Sequence, residues 1–180
     1  SDVYKRQDHT TGNGVYYYVE SSYPNYPNQT FITYTPTFDI SATPGKVLSF
    51  WYHMYGAAMG DLEVGVLDGN GYTILDTKSG DHGDQWFFAY YPIASTNSFK
   101  IQFKATTGSL VTSDICVDDV MVSEPFSVTL GCMDSMALNY DPNVTHPNGT
   151  CTYPPCGSFI NSHAYQMCWG NQAAIQFLSL

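Results

Sequence analysis

An all-β fold, a sandwich or jelly roll, is what the 180-residue sequence predicts, on three observations. Between Ser98 and Ala105, Phe99, Ile101 and Phe103 alternate with Lys100, Gln102 and Lys104, the period of two that marks a half-buried strand. Leu62, Val64 and Val66 alternate in the same way with Glu63, Gly65 and Leu67. From Val15 to Val122 no window of about 11 residues carries helical periodicity, while turn-forming residues recur at short intervals.

The strands are expected, in order, over Val15–Val19, Phe31–Thr35, Val47–His53, Leu62–Leu67, Tyr72–Asp76, Trp86–Tyr91, Ser98–Ala105 and Ile115–Val122. Each is rich in β-branched or aromatic residues, which suit a pleated, half-buried surface. Pro24-Asn25, Pro44-Gly45, Asp68-Gly69-Asn70-Gly71, Gly80–Asp84 and Thr107-Gly108 separate them, with glycine, proline and Asx residues supplying the turn geometry. About eight strands at this spacing build a two-layer sandwich.

After Pro125 the texture changes. The stretch 131–155 has no Lys, Arg or Glu and is rich in Asn, Asp, Pro, Thr and Cys, too polar to own a large core and therefore in need of covalent staples. Residues 156–180 read as the opening of a further module. At the front, Asp2 to Gln7 is what GAT GTG TAT AAG AGA CAG encodes, the mosaic-end adapter of sequencing libraries, and Leu178-Ser179-Leu180 matches the same adapter on the other strand. Residues 1–7 are therefore expected to be an adapter scar. The predicted organisation is 1–7 scar, 8–123 sandwich, 124–155 linker and Cys-stapled repeat, and 156–180 the start of another module.

Charge excludes one class of partner. Six basic residues face 16 acidic ones, a formal charge of −10, so no basic surface for nucleic acid exists. No apolar run is long enough to cross a membrane as a helix, so direct membrane insertion of this piece is not expected. The acids are mostly Asp, and Asp118-Asp119 sits inside an otherwise apolar strand. Strand alternation sends one of the two inward, where a carboxylate needs a partner. The one arginine, Arg6, lies in the adapter-like segment. A hard cation is the natural alternative, and Asp8, Asp118 and Asp119 offer oxygen ligands for a structural Ca²⁺, with Na⁺ as the alternative. An Asp pair capping a turn in water explains the same residues.

His53 alternates with Tyr52 and Met54 and reads as a satisfied structural histidine, since no nucleophile or second base stands at a recognisable spacing. Trp51 and Trp86 are expected in the core, with sugar stacking as the other reading, and one face of the Tyr16-Tyr17-Tyr18 run must be exposed by alternation. Asp134, Asn139 and Asp141 read equally as Asx turns or calcium ligands. HExxH, GxSxG and Walker A motifs are absent, and the EF-hand-like start at Asp68 fails at its twelfth position, Ser79. No catalytic residue is assigned.

Four segments occur in a family's order and spacing: Asp8-His9-Thr10-Thr11-Gly12-Asn13-Gly14-Val15-Tyr16, then Leu48 to Gly60 (LSFWYHMYGAAMG), then Gly83-Asp84-Gln85-Trp86, and Ser113 to Val120 (SDICVDDV). Over residues 8 to about 123 the set resembles the MAM domain. That resemblance implies a jelly-roll sandwich of extracellular proteins, used in adhesion and oligomerisation rather than catalysis. It also implies a structural cation between the first and last strands. Family members usually carry a further segment before the Asp8 motif, so the sandwich is expected to lack its first strands, and Leu48 stands where many members have a Cys.

Gly131 to Tyr153 (GCMDSMALNYDPNVTHPNGTCTY) resembles a short GCxDxxAxNY-type Cys repeat of secreted bacterial multidomain proteins. Fuller versions of that repeat have two further Cys, both missing here, which leaves Cys132 and Cys151 as partners. A Cys156–Cys168 bridge is the second expectation, and Cys116, between Ile115 and Val117, reads as a small buried hydrophobe. Tyr165 to Asn171 (YQMCWGN) resembles the opening of another β module of such proteins. Two bridges imply an oxidising, extracellular compartment. The expected function is a non-catalytic adhesion or interaction module of a secreted or surface-anchored protein, binding protein or glycan at the cell surface. The alternative is an accessory domain of a secreted hydrolase such as a metallopeptidase.

Overall fold

The structure, a computed structural model, describes residues 8–39 and 45–153 and the backbone of three strands between 159 and 177. The adapter-like ends and Cys156 lie outside the described residues, as does the side chain of Cys168.

All eight expected strands form: β1 (Tyr17–Val19), β2 (Thr30–Tyr34), β3 (Val47–Met54), β4 (Asp61–Asp68), β5 (Gly71–Ser79), β6 (Phe87–Pro92), β7 (Phe99–Thr106) and β8 (Ile115–Ser123). They divide between a front sheet in the order β1-β8-β3-β6 and a back sheet in the order β2-β7-β4-β5, antiparallel throughout. Only the β4–β5 hairpin, turning at Asp68–Gly71, stays within one sheet; every other connection crosses to the opposite layer. This is jelly-roll winding, with eight strands among the described residues of 17–123.

Alternation dictates the core. Leu48, Phe50, Tyr52 and Met54 of β3 point between the sheets, and Ile115 and Val117 of β8 join them. From the back sheet come Leu62, Val64 and Val66 of β4 and Phe99, Ile101, Phe103 and Ala105 of β7. Phe50 meets Phe103 edge to face across the layers, ring centroids 5.2 Å apart, a favoured aromatic geometry.

Two irregularities redirect side chains. A register shift at Val64/Gly65 lets β5 present Tyr72 and Ile74 outward yet turn Asp76 and Lys78 inward, where Tyr91 donates to Asp76 at 2.5 Å and Lys78 pairs with it at 2.8 Å. Burial pushes the Tyr52 hydroxyl up to about 12, with the Asp76 charge adding to it. In the front sheet, Ser49 pairs with Met121 but Trp51 pairs with Asp118, so Asp119 and Val120 together oppose Phe50 as a β-bulge. Asp119 takes a left-handed φ of 49°.

The chain divides into two compact units, Ser1–Ser127 and Val128–Leu180. In the second, β9 (Leu130–Gly131) pairs in parallel with β10 (His146–Pro147), and β11 (Phe159–Asn161), β12 (Ala164–Trp169) and β13 (Gln172–Phe177) form an antiparallel sheet. Cys132 is disulfide-bonded to Cys151, as the repeat implied. Asp134 accepts from the Met136 N–H at 2.9 Å and the Tyr153 hydroxyl at 2.7 Å, and Asp141 accepts from the Asn143 N–H at 2.9 Å. Asn139 clips the Thr150–Thr152 segment from both sides of its amide. These residues act as turn and clip residues, the Asx reading.

The core assignment is checked by substitution. Phe50→Ala is expected to cost about 3–5 kcal/mol, whereas Leu110→Ala at an exposed loop position stays within about 0.5 kcal/mol, both read as shifts of the chemical-denaturation midpoint. Equal effects would contradict the inter-sheet packing described.

Candidate functional site

The four sequence motifs meet on the outer face of the front sheet. Trp51 and His53 alternate outward from β3 between the inward Phe50, Tyr52 and Met54. Asp118 lies opposite Trp51, Cys116 opposite His53, and Tyr18 opposite Cys116, which places all of them on one face. The loop 8–14 is laid over this surface: the His9 ring stacks on Trp51 with centroids 3.6 Å apart and planes 16° from parallel. Trp86 closes the patch, 6.1 Å from His9, 5.9 Å from Tyr16 and 5.6 Å from His53.

Carboxylates hold the loop down. Asp8, 8% exposed, accepts from the Gly14 N–H at 2.6 Å, the Thr11 N–H at 3.0 Å and the Thr11 hydroxyl at 2.9 Å. Gly14 permits this approach, since a Cβ would stand 2.6 Å from Asp8 Oδ2 and push the carboxylate away. The Gly14 N–H above all holds the Asp8 carboxyl down from 3.8 to about 2. Asp118, also 8% exposed, accepts from the His9 N–H at 2.8 Å and the Asp119 N–H at 2.7 Å. Asp119, swung out by its left-handed backbone, receives the Thr10 hydroxyl at 2.5 Å and faces His9 Nδ1 at 2.9 Å.

Alternation alone led to the expectation that one of Asp118 and Asp119 enters the inter-sheet core, and the structure corrects it. Val117 takes the inward position, Asp118 is buried on the outer face by the loop above it, and the bulge removes Asp119 from the alternation. Trp51 and Trp86 are likewise packed outside the inter-sheet core, half-buried against His9, Phe88, Tyr16 and His53. His53 is a satisfied histidine, 3.1 Å from Asp84 Oδ1, and Cys116 is buried and outside any disulfide. His9, Thr10, Thr11 and Gly14 carry contacts that reading Asp8 as a ligand overlooked; the signal for them was the Thr, Asn and Gly density that follows Asp8, typical of a loop folding back on a carboxylate.

The chemistry of this surface is cohesive rather than reactive. His9, Thr10 and Asp119 lie together, but the Thr10 hydroxyl proton goes to the carboxylate and not to the imidazole, so no activated nucleophile results. Asp8, Asp118 and Asp119 supply hard oxygens that suit a cation, and among the described residues no lysine or arginine forms an ion pair with them. Among the described residues no group of three or more His, Cys, Asp or Glu side chains is gathered as a metal site, so an ion here would complete its shell with main-chain oxygens and water.

With the jelly roll and its motif face in view, comparison with known proteins is direct. The model of the MAM domain, meprin/A5/mu, matches residues 1–125. The chain belongs to the MAM family. Its MAM region is 35% identical over 116 residues to mouse MAM domain-containing protein 2, covering 63% of this chain and 16% of that protein. It is 36% identical over 118 residues to Xenopus laevis thyroid hormone-induced protein B, covering 63% and 17%. With chicken MAM domain-containing glycosylphosphatidylinositol anchor protein 1 the figures are 34% over 118 residues, 63% and 12%. The chain thus spans less than a fifth of the length of these relatives. The K3 cleaved adhesin domain of Lys-gingipain from Porphyromonas gingivalis shares the fold at a TM-score of 0.50 and 14% identity, over 64% of this chain and 78% of that one.

Two measurements check the loop capture. Asp118→Ala orphans two main-chain N–H groups and is expected to cost about 1–3 kcal/mol, while Asp118→Asn, which keeps an acceptor, costs less. Because the folded Asp8 carboxyl is held at about 2, its stabilisation is present above pH 3.8 and is lost as pH falls from there toward 2. Melting temperature should therefore fall across that window, and less steeply in Asp8→Asn; equal slopes would remove Asp8 from this role.

Proposed function

We propose that the MAM sandwich is a non-catalytic interaction module of an extracellular protein, secreted or held at the cell surface, that binds protein or glycan there. The observation that carries this reading is the use made of the motif residues. Asp8, His9, Trp51, Trp86, Asp118 and Asp119 are occupied in holding a loop and an aromatic cluster on one sheet. Such a scaffold gives a rigid body whose remaining surface and loops meet partners, the usual division of labour between framework and binding residues. The Cys132–Cys151 staple supports an oxidising compartment, and the Cys-stapled piece after the sandwich reads as a spacer repeat.

Beads coated with the chain are expected to adhere to one another or to cell surfaces above an uncoated control. Absence of any adhesion would overturn the reading, as would measured turnover of peptide or glycoside substrates by the chain itself.

A structural Ca²⁺ or Na⁺ at the Asp8, Asp118 and Asp119 seam belongs to the same proposal, supported by two buried carboxylates and their hard oxygens. EDTA is then expected to lower the melting temperature by about 4 °C or more, the shift that ~1 kcal/mol produces in a domain of this size. An unchanged melting temperature excludes Ca²⁺, and Na⁺ is excluded if replacing sodium by tetramethylammonium salts also leaves it unchanged.

A further inference from the structure

The outer face of the back sheet differs from the front face. Its side chains fall in cross-strand rows given by the pairing: Thr30–Thr106–Asp61–Ser79, then Ile32–Lys104–Glu63–Thr77, then Tyr34–Gln102–Gly65–Ile74, and finally Lys100–Leu67–Tyr72. Four apolar or aromatic residues are exposed there: Ile32 at 50%, Tyr34 at 49%, Tyr72 at 36% and Ile74 at 53%. Gln102, by contrast, is only 8% exposed on the same face.

Gly65 explains the local shape. A Cβ there would stand 2.5 Å from the Thr73 carbonyl oxygen and 2.6 Å from Tyr72 Cε2, so the missing side chain lets the Tyr72 ring pack over the glycine, with its hydroxyl 3.0 Å from Glu63 Oε1. Tyr34 stands on the other side of Gln102, opposite it on β2. With strands about 4.8 Å apart, the two rings sit roughly 10 Å from each other with the amide between them. Glu63 pairs with Lys104 at 3.6 Å, and Lys100 and Asp61 flank the patch, so two cations offset two carboxylates.

We infer that this face is a binding site for a neutral oligosaccharide, whose sugar rings lie on Tyr34 and Tyr72 and whose hydroxyls bond Gln102, Glu63 and Lys104. Aromatic rings offer an apolar plane to the C–H face of a pyranose, and a few placed amide and charged groups answer its hydroxyls, the mixture typical of ligand sites. Size decides against a protein surface as occupant. Three strand spacings by two row spacings cover about 200 Å², a quarter of the ~800 Å² that each partner gives to a standard protein interface. The bordering row Thr30–Thr106–Asp61–Ser79 is wholly polar and does not extend the apolar area. The balanced charge selects a neutral chain over an acidic one.

The inference deepens the interaction-module reading by naming a partner, and the two fail separately. The test is affinity electrophoresis of the full 180-residue chain through gels containing soluble β-glucan, xylan or mannan, with alginate as the acidic comparison. Retardation in at least one neutral gel is expected, with binding weakened about tenfold or more by Tyr34→Ala and by Gln102→Leu, a loss of about 1.4 kcal/mol. Tyr34 is on the exposed face of a sheet-edge strand, so its variant should keep the parent melting temperature; Gln102→Leu tests the amide independently. Passage unretarded through every neutral gel overturns the inference, as does retardation by alginate alone or retardation that both variants leave unchanged. Bead adhesion that persists while every neutral polysaccharide is ignored removes this site and leaves the module.

Discussion

Capture of main-chain N–H groups by carboxylates is the interaction on which the front of this molecule depends. Asp8 folds its own following loop around itself, and Asp118 reaches from the last strand of the sandwich to the His9 N–H 109 residues away in sequence. Charge-assisted bonds of this kind are stronger than neutral ones, and both anions are shielded from water. Once the loop is fixed, His9 is delivered onto Trp51, and Trp51, Trp86 and Tyr16 have a lid over what would otherwise be an open aromatic sheet face. The bulge at Asp119 completes the device. It turns Asp119 out of the strand, so that Asp118 and Asp119 serve the same loop through different donors, the His9 N–H for one and the Thr10 hydroxyl for the other.

The two outer faces of the sandwich are covered differently. Around the 8–14 loop the front face is well partnered: its carboxylates accept from main-chain and hydroxyl donors, its histidines have partners and its aromatic rings pack on one another, although Val120 and Met121 of β8 stay exposed. The back face leaves large side chains in solvent on all but the central strands, with polar groups set among them. Because the shared core of Phe50, Phe103 and their neighbours lies between the sheets, outward side chains on either face can vary without disturbing it.

The unit after the sandwich is organised by other means. Over 130–153 its buried apolar residues are few, Cys132, Ala137 and Val144. Order there comes from the Cys132–Cys151 bond and from Asp and Asn side chains that bond the local backbone. Small segments that cannot bury enough apolar surface use covalent and polar restraints in this way.

Much of the fold was legible because its signals are local. Alternation in 98–105 and 62–67, and the turn residues between runs, located eight strands, since side-chain period and turn geometry are set by the immediate backbone. The Cys132–Cys151 pairing was implied by the repeat that 131–153 resembles, and the disulfide forms. The candidate residues Asp8, Asp118 and Asp119 were also visible, as acids in an unusual setting, but their geometry was not. Alternation cannot foresee a bulge, because a bulge is defined by which residues the partner strand offers, here Ser49 to Trp51 against Asp118 to Met121. Nor can sequence distance reveal that Gln102 is shielded on an outer face between Tyr34 and Tyr72, three residues from three strands. The amino-acid sequence by itself determined where the strands lie and most of the side chains they turn inward. Only the tertiary structure decided which carboxylate meets which N–H and on which side of the sheet Asp118, Trp51 and Trp86 are packed, because those depend on register between strands far apart in the chain.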